Sequence, residues 1–361
     1  MRIGVNALYL LPGGVGGTEI YLRELLKALA AIDMENHYFV FHNRETGPDL
    51  VPTQGNFHSQ PQAVNASVRP ARILWEQLVI PFEAAKLRLD VLFNPGFTAP
   101  LLSPCPCVTT FHDLQHKRHP EYFRWFDLPF WNFLLWGAAR KSARIVSVSQ
   151  ATTADFIRYY GAGSKVRTIP SGTSEEFFTL KRDLVEPYVL CVSTLHPHKN
   201  LERLVRVFAA KPRGYRLVLA GMRGFRARQV EELIASLGAS GTIRVTGWIP
   251  REELLTLYSR ALAFIYPSTF EGFGMPPLEA MAAGIPTACS NIAPLLETTG
   301  EAALHFDPLN DQALDEALGR IVSDQELRER LAKDGPEQAR KFSWDSSARS
   351  LLRVWKEVLP Q

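Results

Sequence analysis

The sequence is poor in cysteine. Four residues in 361, Cys105, Cys107, Cys191 and Cys289, exclude a disulfide scaffold. Cys105 and Cys107 form C-P-C rather than the C-x-x-C of zinc or redox motifs, so all four read as reduced packing thiols in a reducing compartment. Charge of one sign is also missing. The 40 Lys+Arg against 37 Asp+Glu leave a formal +3, too small a bias for a nucleic-acid binder, and no nucleic acid is expected as a partner. No run reaches the ~20 apolar residues that span a bilayer. The nearest, Phe126 to Ala139, is interrupted by Asp127, Pro129 and Asn132. The start, MRIGVNALYLLPGG, lacks a small-residue cleavage site and ends in a glycine loop, so it reads as a first strand and not a signal peptide. A cytoplasmic protein is expected, with peripheral attachment to the inner face of the cytoplasmic membrane compatible with that. Low-complexity tracts and short repeats are absent as well.

What is present is a folded globular composition: 46% hydrophobic and 21% charged. At ~100–200 residues per domain the length suggests two domains. Strand-like and helix-like runs alternate throughout. In the first half the strand candidates are Arg2–Leu10, His37–Asn43, Val91–Asn94, Val108–Phe111 and Arg144–Ser149. The run Thr18–Ile32 puts Tyr21, Leu25, Ala28, Leu29 and Ile32 on one helical face. In the second half the strand candidates are Tyr188–Thr194, Arg216–Ala220, Thr242–Gly247, Ala261–Pro267 and Pro286–Ser290. Such alternation predicts parallel sheets covered by helices. The polar, acidic stretch Thr173–Pro187 reads as a linker. Ser343–Val358 reads as a last helix with Leu351, Leu352, Trp355 and Val358 on its apolar stripe.

The segment Ala261–Thr287, ALAFIYPSTFEGFGMPPLEAMAAGIPT, carries the most chemistry. A strand ends, Glu271-Gly-Phe-Gly-Met follows, Pro276 and Pro277 fit the first helical positions, and Gly284 ends the helix. A helix start presents free N–H groups and a positive dipole end to an anion. The prolines remove two donors, which leaves the N–H groups of Gly272, Phe273, Gly274, Met275 and Leu278. Two carboxylates beside a phosphate repel it, so Glu271 and Glu279 read as acceptors for sugar or ribose hydroxyls. From spacing alone they read equally well as ordinary acids at a helix start.

Glu271-Gly-Phe-Gly-Met-Pro-Pro-Leu-Glu279 resembles the E-x7-E motif of family 4 retaining glycosyltransferases. Further segments resemble that family in order over nearly the whole chain. They are Gly13-Gly-Val-Gly-Gly-Thr-Glu19, Phe111-His-Asp-Leu114, Val148-Ser-Gln150, Val192-Ser-Thr-Leu-His-Pro-His-Lys-Asn200, Leu219-Ala-Gly221, Thr246-Gly-Trp-Ile249 and Phe342-Ser-Trp344. The resemblance implies an α/β fold of the GT-B type: two Rossmann-like doubly wound domains facing across a cleft. Residues 1–175 would bind the acceptor and 185–342 the nucleotide sugar, with the C-terminal helix 343–361 packing back on the first domain.

The resemblance also implies roles. Glu279 would hold the ribose, and Glu271 would meet the transferred sugar near the reacting carbon. Lys199 would bind the donor diphosphate. His112 would stand near the transferred sugar, so Glu271, His112 and Lys199 form the catalytic set. Donor contacts would come from Gly16, Gly17, Thr194, Gly221, Trp248, Ile249, Gly272, Phe273, Gly274, Met275 and Leu278. Many relatives carry an arginine just before the lysine, and this chain has none. The available substitutes are His198, by charge, and Thr194, by its hydroxyl.

No metal and no cofactor are expected, the nucleotide sugar being a co-substrate. His112-Asp-Leu-Gln-His116 has zincin-like histidine spacing, but that motif needs a helix and His112 ends a β run. No D-x-D pair occurs. The implied function is hexosyl transfer, with mannose from GDP-mannose favoured, to a glycan or lipid-linked glycan acceptor of surface polysaccharide assembly. The alternatives are a UDP-sugar-dependent transferase and a sugar-nucleotide epimerase on the same fold. One stretch is left over. Lys117–Arg144 combines Tyr122, Phe123, Trp125, Phe126, Phe130, Trp131, Phe133 and Trp136 with six basic and two acidic residues. It reads either as the core of a long helix or as an interfacial membrane segment over 117–144.

Overall fold

The computed structural model describes residues 1–13, 16–222 and 227–359. The chain divides into two compact units, Met1–Gly172 with Trp344–Gln361, and Thr173–Ser343. The first holds a parallel seven-stranded sheet: β1 Arg2–Asn6, β2 His37–His42, β3 Phe57–Pro61, β4 Val91–Asn94, β5 Cys107–Phe111, β6 Arg144–Ser147 and β7 Val166–Thr168. Its order is β3-β2-β1-β4-β5-β6-β7. The winding reverses between β1 and β4, and a crevice at the strand carboxyl ends is expected at such a reversal. Central strands are buried end to end, which parallel sheets covered on both faces require.

The last helix, Trp344–Glu357, belongs to this first unit. Its stripe Leu351, Val354 and Trp355 is buried. Trp355 is fully enclosed, with its ring 5.4 Å from that of Phe93 and 6.1 Å from that of Tyr38. Trp344 meets the edge of Tyr21 on the helix Gly17–Ile32.

The second unit holds a parallel six-stranded sheet: β8 Glu186–Val192, β9 Arg216–Ala220, β10 Ile243–Gly247, β11 Ala261–Tyr266, β12 Thr287–Ser290 and β13 Leu304–Phe306. The order β10-β9-β8-β11-β12-β13 reverses between β8 and β11.

Several expectations need correction. The first strand stops at Asn6 instead of Leu10. Leu8 and Leu10 are nonetheless buried, because Asn43 Nδ2 donates to both of their carbonyls at 3.0 and 2.6 Å and a loop can then lie inside. Three edge strands, β3, β7 and β13, carry no pattern that marks them. In β3, FHSQP, only Phe57 is buried. Thr173–Pro187 is no linker. It lies in the second unit and contains the helix Glu175–Phe178, whose Phe177 is buried edge-on to Tyr258, 5.1 Å between ring centres.

The aromatic stretch is not the core of a long helix either. The helix Leu128–Lys141 buries Leu134, Leu135, Gly137, Ala138 and Ala139. Its aromatics face outward: Phe130, Phe133 and Trp136 are half exposed, and Trp125 before it is 82% exposed. The four cysteines are free, as expected.

The enclosed Trp355 predicts that Trp355→Ala costs about 3–5 kcal/mol of unfolding free energy. Urea melts that monitor the first unit should record it. A cost under about 1 kcal/mol would show that the helix adds little to that unit.

Candidate active site

In the second unit the two loops that leave β8 and β11 flank the reversal of strand order. They are tied together by main chain. The His198 carbonyl accepts the Thr269 N–H at 2.8 Å, the Thr269 hydroxyl at 3.1 Å and the Ser268 hydroxyl at 3.1 Å. Asn200 then adopts φ 58° and starts the helix Leu201–Ala209, its side chain donating to the Pro308 carbonyl at 2.8 Å. This clamp sets Lys199 opposite Glu271.

Lys199 Nζ donates to Glu271 Oε1 at 2.6 Å and to the Tyr266 hydroxyl at 2.8 Å. The two charged side chains are only 13% and 11% exposed. Burial, then the Glu271 carboxylate, pushes the Tyr266 hydroxyl well above the usual phenol range, so it keeps its proton. A cation and a carboxylate thus stand side by side at the carboxyl ends of adjacent strands.

The helix Met275–Ala282 starts beside them. Gly274 has φ 110°, and a Cβ there would lie 2.4 Å from Leu295 Cδ2. That backbone puts the N–H groups of Phe273, Gly274 and Met275 outside any hydrogen bond among the described residues. The Phe273 side chain itself is buried against Phe342. Leu278 departs from expectation. Its N–H donates to the Gly274 carbonyl at 3.4 Å and its side chain is fully buried, because the helix is already hydrogen-bonded by that position. Leu278 is therefore a packing residue and not an N–H donor to a ligand.

Glu279 is buried in the second turn of that helix and accepts the Tyr258 hydroxyl at 2.9 Å. Burial, then this carboxylate, raises the Tyr258 hydroxyl well above its usual range. Arg251 stands in the field of Glu279, and its Nε donates to Glu176 at 3.0 Å. Burial opposes the Arg251 charge, and the two carboxylates outweigh burial. Its guanidinium also lies 4.7 Å over the Phe177 ring.

Gly221, at φ 141°, ends β9 where a Cβ would lie 2.1 Å from the Ser193 carbonyl oxygen. It brings the end of β9 against the Ser193 backbone, and Thr194 next to it is half-buried. His198 meets His196, Nδ1 to Nδ1, at 2.7 Å. Trp248 is 64% exposed and Ile249 half-buried after β10.

Gly16, Gly17 and His112 belong to the first unit. Gly16 precedes the helix Gly17–Ile32, and Glu19 Oε2 accepts the Gly13 N–H at 2.9 Å. Gly14 and Val15 of that loop lie outside the described residues. His112 Nε2 donates to the Pro95 carbonyl at 2.7 Å, and its ring packs on Tyr21 and Phe97. Burial lowers its pKa to about 4, so the ring is neutral with Nδ1 an acceptor. His116 turns away to Tyr160, 2.8 Å from its hydroxyl.

Tyr266, Tyr258, Arg251 and Glu176 were not singled out from sequence. Tyr266 ends β11 just before the glutamate loop, which is a usable signal. Glu176 and Arg251 are 75 positions apart and carried none.

The buried pair predicts a double-mutant cycle. Lys199→Met alone should destabilise the protein by about 3–5 kcal/mol by leaving Glu271 buried and unpaired. Adding Glu271→Gln should recover most of that loss in chemical denaturation. Additive losses would mean the two charges are not coupled.

Two family models cover the chain: the glycosyltransferase family 4 model over residues 15–177 and the glycosyl transferases group 1 model over residues 173–338. The O-antigen chain mannosyltransferase B of Escherichia coli is 32% identical over 265 residues, which is 69% of this chain and 70% of that protein. The serotype-specific mannosyltransferase WbdA of Escherichia coli is 28% identical over 286 residues. That match spans 73% of this chain and only 34% of the larger relative. The sucrose-phosphate synthase of Thermosynechococcus elongatus superposes with a TM-score of 0.82 at 23% identity, covering 99% of this chain and 98% of that one, a likeness of fold. With two parallel-sheet units of the GT-B kind and an E-x7-E loop at the strand reversal, the chain belongs to the family 4 glycosyltransferases and is a hexosyltransferase.

Proposed function

We propose that the protein transfers a mannosyl group from GDP-mannose to a hydroxyl of a glycan or lipid-linked glycan, with retention of anomeric configuration and without a metal. The observation that carries this reading is the buried Lys199–Glu271 pair beside the N–H groups of Phe273, Gly274 and Met275. The choice of mannose rests on the mannosyltransferases among the relatives.

In this reading Lys199 exchanges part of its contact with Glu271 for the leaving diphosphate and stabilises the charge that grows there as the glycosidic C–O bond breaks. Glu271 then faces the anomeric carbon and stabilises its oxocarbenium-like character. The acceptor hydroxyl attacks from the same face and gives its proton to the departing phosphate oxygen, so no separate base is needed. Glu279, steadied by Tyr258, receives ribose hydroxyls. His112, neutral and fixed by Pro95, offers Nδ1 to a hydroxyl of the transferred sugar. Thr194, by its hydroxyl, and His198, by charge, supplement Lys199 at the diphosphate.

The acceptor side is proposed to rest on an anionic membrane surface. Trp125, Phe126, Phe130, Phe133 and Trp136 are all more than half exposed, and Arg124 and Arg140 lie over the Phe126 and Trp136 rings, 5.9 Å away in each case. Exposed aromatic side chains interleaved with basic ones suit a headgroup interface. Arg118 does not count toward that charge, because it pairs with Asp155 at 3.2 Å.

Two measurements test these readings. A donor panel followed by thermal shift should single out GDP-mannose, which at 100 times its Kd adds ~2.7 kcal/mol of stability. Lys199→Ala should then lower turnover by about 10²–10³. A UDP-sugar as the sole stabilising donor would replace the GDP-mannose assignment. For the membrane, a variant carrying Trp125→Ser, Trp136→Ser and Arg140→Glu should lose sedimentation with vesicles containing phosphatidylglycerol. Retention equal to the unmodified protein would remove the membrane reading.

A further inference from the structure

The first unit has its own reversal of strand order, between β1 and β4. Asn6 and Asn94, the last residues of those strands, are buried and hydrogen-bonded to each other at 3.0 Å. Asn6 also donates to Glu76 Oε2 at 3.1 Å, from the helix Arg69–Lys86 that follows β3. Thr98 donates to the same oxygen at 2.9 Å, and Gln77 to Oε1 at 3.2 Å.

Arg72 stands one helical turn before Glu76, the spacing at which the two would ordinarily pair. They form no ion pair, since Glu76 is held by Asn6, Thr98 and Gln77. Arg72 is 8% exposed, and its Nε is buried without a hydrogen-bond partner. No hydrogen bond or salt bridge of its guanidinium is made among the described residues. A buried guanidinium Nε–H with no acceptor is costly, and folding tolerates it where a ligand completes it. Burial pulls its pKa down; the Glu76 carboxylate opposes that shift without outweighing it, and the nearby Arg69 adds to it. The Arg69 guanidinium lies 5.4 Å over the ring of Trp131, on the helix that carries the exposed aromatics. The start of an 18-residue helix adds its positive dipole end.

We propose that the strand reversal of the first unit binds a phosphate of the acceptor, with Arg72 as its principal ligand and Arg69 as the second cation. The planar fork of arginine matches phosphate oxygens two at a time. The position, in the unit expected to receive the acceptor and next to the aromatic face, suits the phosphate that links a sugar to a prenyl chain or one carried on the glycan itself. The inference rests on the transfer reaction proposed above for what it calls the acceptor.

Inorganic pyrophosphate is the probe for binding. Calorimetry is run on the Lys199→Met/Glu271→Gln protein, where the donor site is disabled and the charge pair removed together. This protein should bind pyrophosphate, and adding Arg72→Gln should weaken that by about tenfold or more. Unchanged affinity would overturn the proposal. Kinetics then separate the sources. With Lys199 and Glu271 intact, Arg72→Gln should raise the KM for a prenyl-diphosphate-linked acceptor by about tenfold or more while leaving donor KM and the KM for a neutral alkyl glycoside unchanged. A matching rise for a glycan bearing a terminal phosphate would place the phosphate on the glycan rather than on the lipid. A rise of equal size for the neutral glycoside would make Arg72 a packing residue and overturn the proposal. The melting temperature of Arg72→Gln should equal or exceed that of the unmodified protein, since an unpaired buried charge stabilises nothing. A lowered melting temperature points to a structural role and counts against the inference. If no nucleotide sugar supports transfer by the unmodified protein, the transferase reading fails, and the pyrophosphate titration still decides the role of Arg72.

Discussion

The second unit is organised around one buried charge pair. Lys199 and Glu271 come from loops 72 residues apart in sequence, yet their side chains meet at 2.6 Å with little exposure. Such a pair persists only when both ions are also hydrogen-bonded and held in place, because desolvation of each costs several kcal/mol. Tyr266 provides the hydrogen bond, and the His198 carbonyl, accepting three donors from Ser268 and Thr269, provides the hold. The clamp is made mainly of backbone and hydroxyl groups at the ends of two adjacent strands. The pair is therefore placed by the sheet and not by flexible side chains searching for each other.

The same economy of position recurs in the first unit. There too the winding reverses, and there too polar side chains fill the ends of the two strands at the reversal. The difference is in satisfaction. In the second unit the buried cation has its carboxylate, whereas in the first the carboxylate is taken by neutral donors and Arg72 is left without one. Buried groups of that kind are rare in folded chains and ask for a reason. The exposed aromatic face of the helix Leu128–Lys141 is a second departure from the rule that large apolar side chains go inside. Both departures lie in the same unit, joined through Arg69 over Trp131.

Much of this was legible in the sequence. The alternation of apolar runs and helical faces reports parallel α/β units, since a central strand must be apolar on both faces. Ten strands were readable on that basis. Three of the four edge strands, β3, β7 and β13, were not, because β3 buries only Phe57, β7 only Val166 and β13 only Phe306. The site loop was legible because Gly274, Pro276 and Pro277 are local constraints that act within a few residues of themselves. Lys199, Glu271 and Glu279 were visible through the resemblance to the family 4 motifs, since spacing alone reads the two glutamates equally well as acids at a helix start. Their partners Tyr266, Tyr258 and Arg251 were not, and Leu278 was misread as a donor because the first hydrogen bond of a helix depends on where it starts.

What the sequence by itself determined, then, is whatever depends on neighbours along the chain: the alternating fold class, the glycine and proline turns, and the identity of the charged residues in the site loop. The tertiary structure alone decided which charges are paired and which are not. Lys199 has Glu271, Glu279 has Tyr258, and Arg72 makes no hydrogen bond or ion pair among the described residues even though Glu76 stands at the helical spacing that would supply one. Pairing is a competition among all donors that come within about 3 Å of an acceptor; Asn6 and Thr98 reach Glu76 from segments that have no local relation to Arg72, and Gln77 adds a third donor from the next position of the helix. The same holds for the aromatic stretch. Its composition is local, but which of its rings face solvent is set by where the helix Leu128–Lys141 lies on the sheet.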